Sequence, residues 1–107
     1  MELLKLLDSD TDIVDSKLIH VWESILESDV IKNNLILQNV DPYLGSKYKG
    51  NLYGLLHNEY QIPNSAIYIN MRINGYKSSL EYDGGLDLYL LDSDVLLNIL
   101  NTINPSN

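Results

Sequence analysis

Residues 50–91, GNLYGLLHNEYQIPNSAIYINMRINGYKSSLEYDGGLDLYLL, decide how the chain is to be read, because they hold five of its six glycines and its sharpest turn signals. They read as one small folding unit. Leu52, Leu55, Leu56 and Tyr60 recur at helical spacing, with Asn51 placed as N-cap and Pro63 beyond the end, which predicts a short helix over about 52–60. Further on, Leu86, Leu88 and Leu90 alternate with Asp87 and Tyr89, the period of a strand. Asp92 or Ser93 then caps a helix over 93–103, in which Val95, Leu96, Ile99, Leu100 and Ile103 are apolar, before a polar Asn104-Pro105-Ser106-Asn107 end.

The part between these elements has two physical readings. By period, Ile67, Ile69, Met71 and Ile73 alternate with Tyr68, Asn70, Arg72 and Asn74, and Asn74-Gly75 and Asp83-Gly84-Gly85 are hairpin signals, so 66–91 would be a β-meander packed on helices. Folding about Asn74-Gly75 would pair Ile73 with Tyr76 and Ile69 with Leu80, but would also set Arg72 against Lys77, an unfavourable like-charge pair. By caps, Asn64 or Ser65 opens a helix after Pro63, and Gly75 closes it in a left-handed position with Tyr76 as its hydrophobic follower.

Working outward, Leu18, Val21, Trp22, Ile25 and Leu26 make an apolar helix face over 16–28, with Asp15 or Ser16 as N-cap. His20 falls on the polar side of that helix, with no ligand-spaced partner, and Trp22 reads as core. Residues 30–40 carry Leu35, Ile36 and Leu37, which suit a buried strand or the tail of a second helix, ended by Asp41-Pro42. The following 43–50 segment, with Lys47 and Lys49, reads as a loop. At the start, Leu3, Leu4, Leu6 and Leu7 could open a short helix before the Asp8-Ser9-Asp10-Thr11-Asp12 run. That run has the acidic opening of a calcium loop, yet its sixth and twelfth positions hold Ile13 and Ile19 where Gly and Glu are needed.

Composition bounds the rest. A chain of 107 residues has room for one core, so 1–107 is read as a single α+β domain. The core has to be aliphatic, because there is no Phe and one Trp, while the eight Tyr each bring a hydroxyl that wants a partner. All eight lie from Tyr43 onward, which suggests a Tyr-rich contact surface, with Tyr43, Tyr48 and Tyr68 as its candidates. The absence of Cys excludes disulfides and thiolate chemistry. A net charge of −8 without a basic cluster argues against direct nucleic-acid binding. No run approaches the roughly 18 apolar residues of a membrane span, and the acidic, amphipathic start is unlike a signal peptide, which points to an aqueous, intracellular setting. His20 and His57 fall in different helices, His57 and Glu59 on different faces of one, and no carboxylates form a dyad. No catalytic, metal or cofactor residue is therefore assigned, and enzyme activity is not expected.

The segment from Leu52 to Leu91 resembles the LysM module, in which a helix opens after a Gly-Asp pair and ends in Tyr, a second helix ends in Asn-Gly, and a Pro-Gly turn leads into a final strand. Gly50-Asn51 takes the place of the opening pair, and Tyr60, Asn74-Gly75, Tyr82, Gly85 and Leu88-x-Leu90 fall at matching places. Gly84 stands where the family has proline, and Asn51 where it has Asp. The longer spacing between the helices is similar to LysM-type segments of small bacteriophage tail and baseplate proteins. The resemblance implies a helix over 66–73, and so a helix–helix–strand unit over 50–91 flanked by N-terminal (16–28) and C-terminal (93–103) helices. It also implies a structural protein of the virion, assembled in the host cytoplasm through contacts with other tail or baseplate subunits as part of an oligomer. Two alternatives follow from other features: a peptidoglycan- or chitin-binding module using a groove between the second helix and the loop before it, and an acidic inhibitor of a basic host protein, suggested by the charge.

Overall fold

A computed structural model of the chain describes residues 16–103; the leucines at 3–7, the acidic run at 8–12, Asp15 and the 104–107 end lie outside the described residues. The N-terminal helix α1 spans Ser16–Ile25, three residues shorter than its apolar period suggests. Its end is chemical: the Ser24 hydroxyl donates to the Val21 carbonyl at 2.8 Å, offering the backbone an alternative to the helix ladder. Ser28 is already extended and precedes a single helical turn, α2 (Asp29–Lys32). The apolar run that follows is strand and not helix tail, β1 (Leu35–Asn39), but it is not the buried strand expected, since Ile36 and Leu37 are exposed.

The segment after β1 is not the loop expected from its glycines and lysines. It opens as a helix, α3 (Pro42–Lys47), because Asp41 caps it, its carboxylate accepting the Tyr43 N–H at 2.8 Å, and Pro42 supplies a preset φ at the first helical position. Next, α4 (Leu52–Gly54) starts under the expected Asn51 cap, whose side chain accepts the Gly54 N–H at 3.0 Å. It widens into a π turn over Leu55–Glu59 and stops at Tyr60.

Residues 64–73 are helix: α5 spans Asn64–Ile73, which rules out the meander. Gly75 (φ 85°) closes it in a Schellman motif, its own N–H bonding the Arg72 carbonyl at 3.0 Å and the Tyr76 N–H bonding Met71 at 3.1 Å. A 3₁₀ turn (Ser79–Glu81) and the Gly84-Gly85 bend lead into β2 (Asp87–Leu91), and α6 (Ser93–Ile103) follows under an Asp92 cap that accepts from Asp94 and Val95. The domain is α+β, with helices about a two-stranded antiparallel sheet.

The register pairs Leu35 with Leu91, Leu37 with Tyr89 and Asn39 with Asp87. The flanking bonds Val40 N to Leu86 O and Asp92 N to Asn34 O continue that register, so the even-numbered residues of β1 exchange hydrogen bonds with β2 and the odd-numbered ones do not. Side chains alternate across the sheet accordingly. Val40, Leu88 and Leu90 enter one core with Tyr48, Leu52, Leu55, Leu56 and Tyr82, whereas Leu35 and Leu91 enter a second with Trp22, Ile31 and Leu96.

Helix α5 lies along the outer edge of β2 and serves both cores. Ile67 and Met71 pack into the first, Ala66, Ile69 and Ile73 into the second. This two-sided burial produces the strand-like alternation of the sequence: at 100° per residue, Ile67 and Ile69 point to opposite sides of a helix, and here each side has a core to fill.

Candidate functional site

The helix completes the sheet edge through two asparagines one turn apart. Asn74 reads both backbone groups of Tyr89, its Oδ1 accepting the N–H at 2.7 Å and its Nδ2 donating to the carbonyl at 2.8 Å. Asn70, fully buried, accepts the Leu91 N–H at 2.8 Å and donates to the Ala66 carbonyl at 2.9 Å. The outward N–H and C=O of Tyr89 and the N–H of Leu91 are thus satisfied by Asn70 of α5 and by Asn74, its C-cap, a role invisible to residue counting but carried in the sequence by the Asn-x-x-x-Asn spacing.

Most tyrosines turn inward, with their hydroxyls bonded inside the fold. Tyr48, expected on a contact surface, is 8% exposed and donates to Glu59 at 2.9 Å. Tyr68, expected there too, is half-buried and ties α5 to α1 by donating to Glu23, which also takes Arg72 Nε at 2.7 Å. Arg72 and Tyr68 together hold the Glu23 carboxyl below its ordinary range. Tyr76 donates to Asp83 at 3.0 Å and stands edge-on to Tyr82, whose hydroxyl reaches the Gly85 carbonyl at 2.6 Å. Burial, reinforced by the bond to Asp83, pushes the Tyr76 phenol up to about 12. Of the three expected contact tyrosines only Tyr43 is open, 69% exposed beside Lys47, whose Nζ is 6.0 Å from its ring centre; Tyr89, not singled out from the sequence, is the other exposed one.

The histidines remain apart. His20 is exposed on α1, and His57 stacks on Tyr53 with ring centres 5.3 Å apart, its Nδ1 3.2 Å from the Ile62 carbonyl. The Tyr53 hydroxyl bonds Asn64 at 2.8 Å and the Ile62 N–H bonds Leu56 at 3.0 Å, so the corner between α5 and the turn before it is stitched together. Among the described residues no three His, Cys, Asp or Glu side chains gather as metal ligands, and no helix is long and apolar enough to cross a membrane.

What the surface offers instead is apolar contact. Between α1 and α6 lies a groove of about 600 Å³ lined by Val21, Ile25, Val30, Val95 and Ile99, with no titratable side chain among its described walls. On the sheet, Ile36 and Leu37 of β1 are 53% and 48% exposed and Tyr89 of β2 is 46% exposed. Such an arrangement suits docking of another macromolecule better than acid–base or nucleophilic chemistry. Neither family models, curated proteins nor solved structures give a match to the chain.

Proposed function

We propose that this protein is a non-enzymatic structural or assembly component of a bacteriophage virion, in the tail or baseplate, acting through protein–protein contacts. The observation that carries the reading is the order of elements over 35–91: strand β1, the short helix α3, helices α4 and α5, then strand β2, with the two strands antiparallel neighbours and the LysM-like motifs lying on α4, α5 and β2. The Gly50-Asn51 opening sits at the start of α4, Tyr60 at the end of its π turn, Asn74-Gly75 at the end of α5, and Leu88-x-Leu90 within β2. The exposed apolar residues of β1, with Tyr43 and Tyr89, provide contact area for neighbouring subunits.

The test is co-purification. Tagged protein expressed with the tail proteins of its phage is expected to join their assembly intermediates and to be present in intact particles by mass spectrometry. Its absence from particles, together with a failure to bind any tail protein, would overturn the proposal. Binding to insoluble peptidoglycan in place of tail proteins would establish the glycan-binding alternative.

A further inference from the structure

One dipeptide at the seam between α5 and β2 is chemically labile. Asparagine is a thermolabile residue, and it loses its side-chain amide most readily before glycine, which sets no side chain beside the backbone nitrogen that attacks the amide. Asn74-Gly75 is the one Asn-Gly pair in the sequence. In the folded chain both reacting groups are occupied. The Asn74 amide donates to the Asn70 carbonyl at 2.7 Å and to the Tyr89 carbonyl at 2.8 Å, and it accepts the Tyr89 N–H at 2.7 Å. The Gly75 N–H donates to the Arg72 carbonyl at 3.0 Å. Asn74 has a ψ of 7°, which swings the Gly75 nitrogen away from the Asn74 Cβ, whereas closing a succinimide ring needs the two nearly eclipsed. Gly75 is exposed and Asn74 is only partly buried, so water and hydroxide reach the pair.

We propose that Asn74 is a site of spontaneous covalent modification gated by the contact between α5 and β2, where a transient opening of the seam becomes a permanent change. When the C-terminal turn of α5 opens, Asn74 ψ is free to rotate, and the Gly75 nitrogen gives its proton to hydroxide and attacks Asn74 Cγ. The N–Cγ bond forms and the Cγ–Nδ2 bond breaks; the amide leaves as ammonia with a proton from water, which regenerates the hydroxide. Water then opens the succinimide. Attack at the side-chain carbonyl breaks the new N–Cγ bond and gives aspartate, whereas attack at the main-chain carbonyl breaks the original peptide bond and gives isoaspartate, with the backbone running through Cγ. Neither product rebuilds the seam. An aspartate at position 74 still accepts the Tyr89 N–H, but once ionised it has no donor for the Tyr89 and Asn70 carbonyls and turns a negative charge toward both. Isoaspartate adds a backbone atom inside the turn that Gly75 and Tyr76 close on Arg72 and Met71. The amide holds the seam shut, and the shut seam protects the amide. The site uses only the α5–β2 contact and does not depend on the virion reading.

The experiment follows the full chain at mildly alkaline pH by peptide mapping, with fragmentation that separates aspartate from isoaspartate, alongside amide hydrogen exchange. In guanidinium chloride Asn74 is expected to convert ahead of every other asparagine. Gly75→Ala, whose methyl group crowds the attacking nitrogen, should slow that conversion, and the denatured chain reports this whether or not the variant folds. In native buffer the conversion is expected to be slower by about tenfold or more, because only the open fraction of the seam reacts. It should accelerate in step with exchange of the Gly75 and Tyr89 amides as denaturant is raised below the unfolding midpoint. Asn74→Asp makes the aspartate product directly; circular dichroism checks its fold, and its Gly75 and Tyr89 amides are expected to exchange about tenfold faster. Where that variant does not fold, the wild-type rates still decide. Absence of conversion at Asn74 in denaturant overturns the proposal, and so do equal rates in native buffer and in denaturant. A folded Asn74→Asp chain whose Gly75 and Tyr89 amides exchange as in the unaltered protein overturns it too.

Discussion

The two cores that share α5 are built from different materials. The first, within 40–90, is formed by consecutive short elements and uses tyrosines whose hydroxyls are anchored at Glu59, Asp83 and Gly85. The second is assembled from the ends of the described chain, α1, α2 and α6, on the far face of the sheet; it holds aliphatic side chains about Trp22 and opens on one side into the apolar groove. A core with many polar tethers has a fixed geometry, whereas one held mainly by apolar area tolerates rearrangement, since burial is non-directional. The tethered unit within 40–90 is therefore the more rigid one, and the terminal helices are a cover laid on its sheet.

The largest effect is expected where that cover is pinned. Trp22 is fully buried and its indole N–H donates to the Ser65 carbonyl at 3.1 Å. Trp22→Ala should cost about 4 kcal/mol by loss of buried area and the cavity left behind, read as a lower urea midpoint. Hydrogen exchange should show amides of α1 and α6 opening first, with those of Leu56 and Leu88 holding. If all of these lose protection together, the two cores unfold as one and the division has no energetic meaning.

Asn70 probes the seam between the cores. Asn70→Ala leaves the Leu91 N–H buried without its partner and removes the bond to Ala66, for an expected loss of about 3 kcal/mol. Because the residue sits where helix meets sheet, both cores should weaken together, in contrast to Trp22→Ala. A loss confined to α1 and α6 would show that α5 belongs energetically to the cover and not to the seam.

The elements that sequence reading found are those announced by local chemistry. Asn51 caps α4, Gly75 closes α5 with Tyr76 behind it, and Asp92 caps α6, each a short-range interaction fixed by neighbouring residues. Period misleads at 67–73, because alternation is ambiguous between a strand with one buried face and a helix with two, and only the tertiary arrangement decides. At 43–47 the glycine drew attention from the Asp41-Pro42 start of α3. Gly45 is there for closeness instead: a Cβ on it would lie 2.8 Å from the Gly84 carbonyl oxygen. The contact surface was least legible, since the sequence shows which residues are tyrosines but not which hydroxyls find partners inside. Tyr48 and Tyr68 found them, and the role of Asn70 and Asn74 became apparent only once the register had fixed which backbone groups of β2 face α5.

The smallest effects come from the charged tethers, and pH separates the two cores through them. Glu23 is held below its ordinary value of 4.5 first by the hydrogen bond from Arg72 and then by that from Tyr68, so its contribution is present above about 4.5 and is lost as acid drives the pH through the lowered value. Asp83, held below 3.8 by Tyr76 and the Gly85 N–H, behaves in the same sense, so the acid limb weakens both cores. The alkaline limb belongs mainly to the first core, where burial raises Tyr60, Tyr76 and Tyr82, with a share from Tyr68, raised by its bond to Glu23 at the α1–α5 contact. The Tyr76 phenol is raised from 10 to about 12, which means that the fold favours its neutral form; the stability is intact below pH 10 and falls as the pH rises from 10 toward 12. Thermal melts across pH should then show Glu23→Gln flattening the acid limb and, through Tyr68, easing the alkaline one slightly, and Tyr76→Phe flattening the alkaline limb most. Should Tyr76→Phe leave the alkaline limb unchanged, the hydroxyl tether to Asp83 does not stabilise the first core, and the contrast between a tethered core and a merely packed one loses its main physical support.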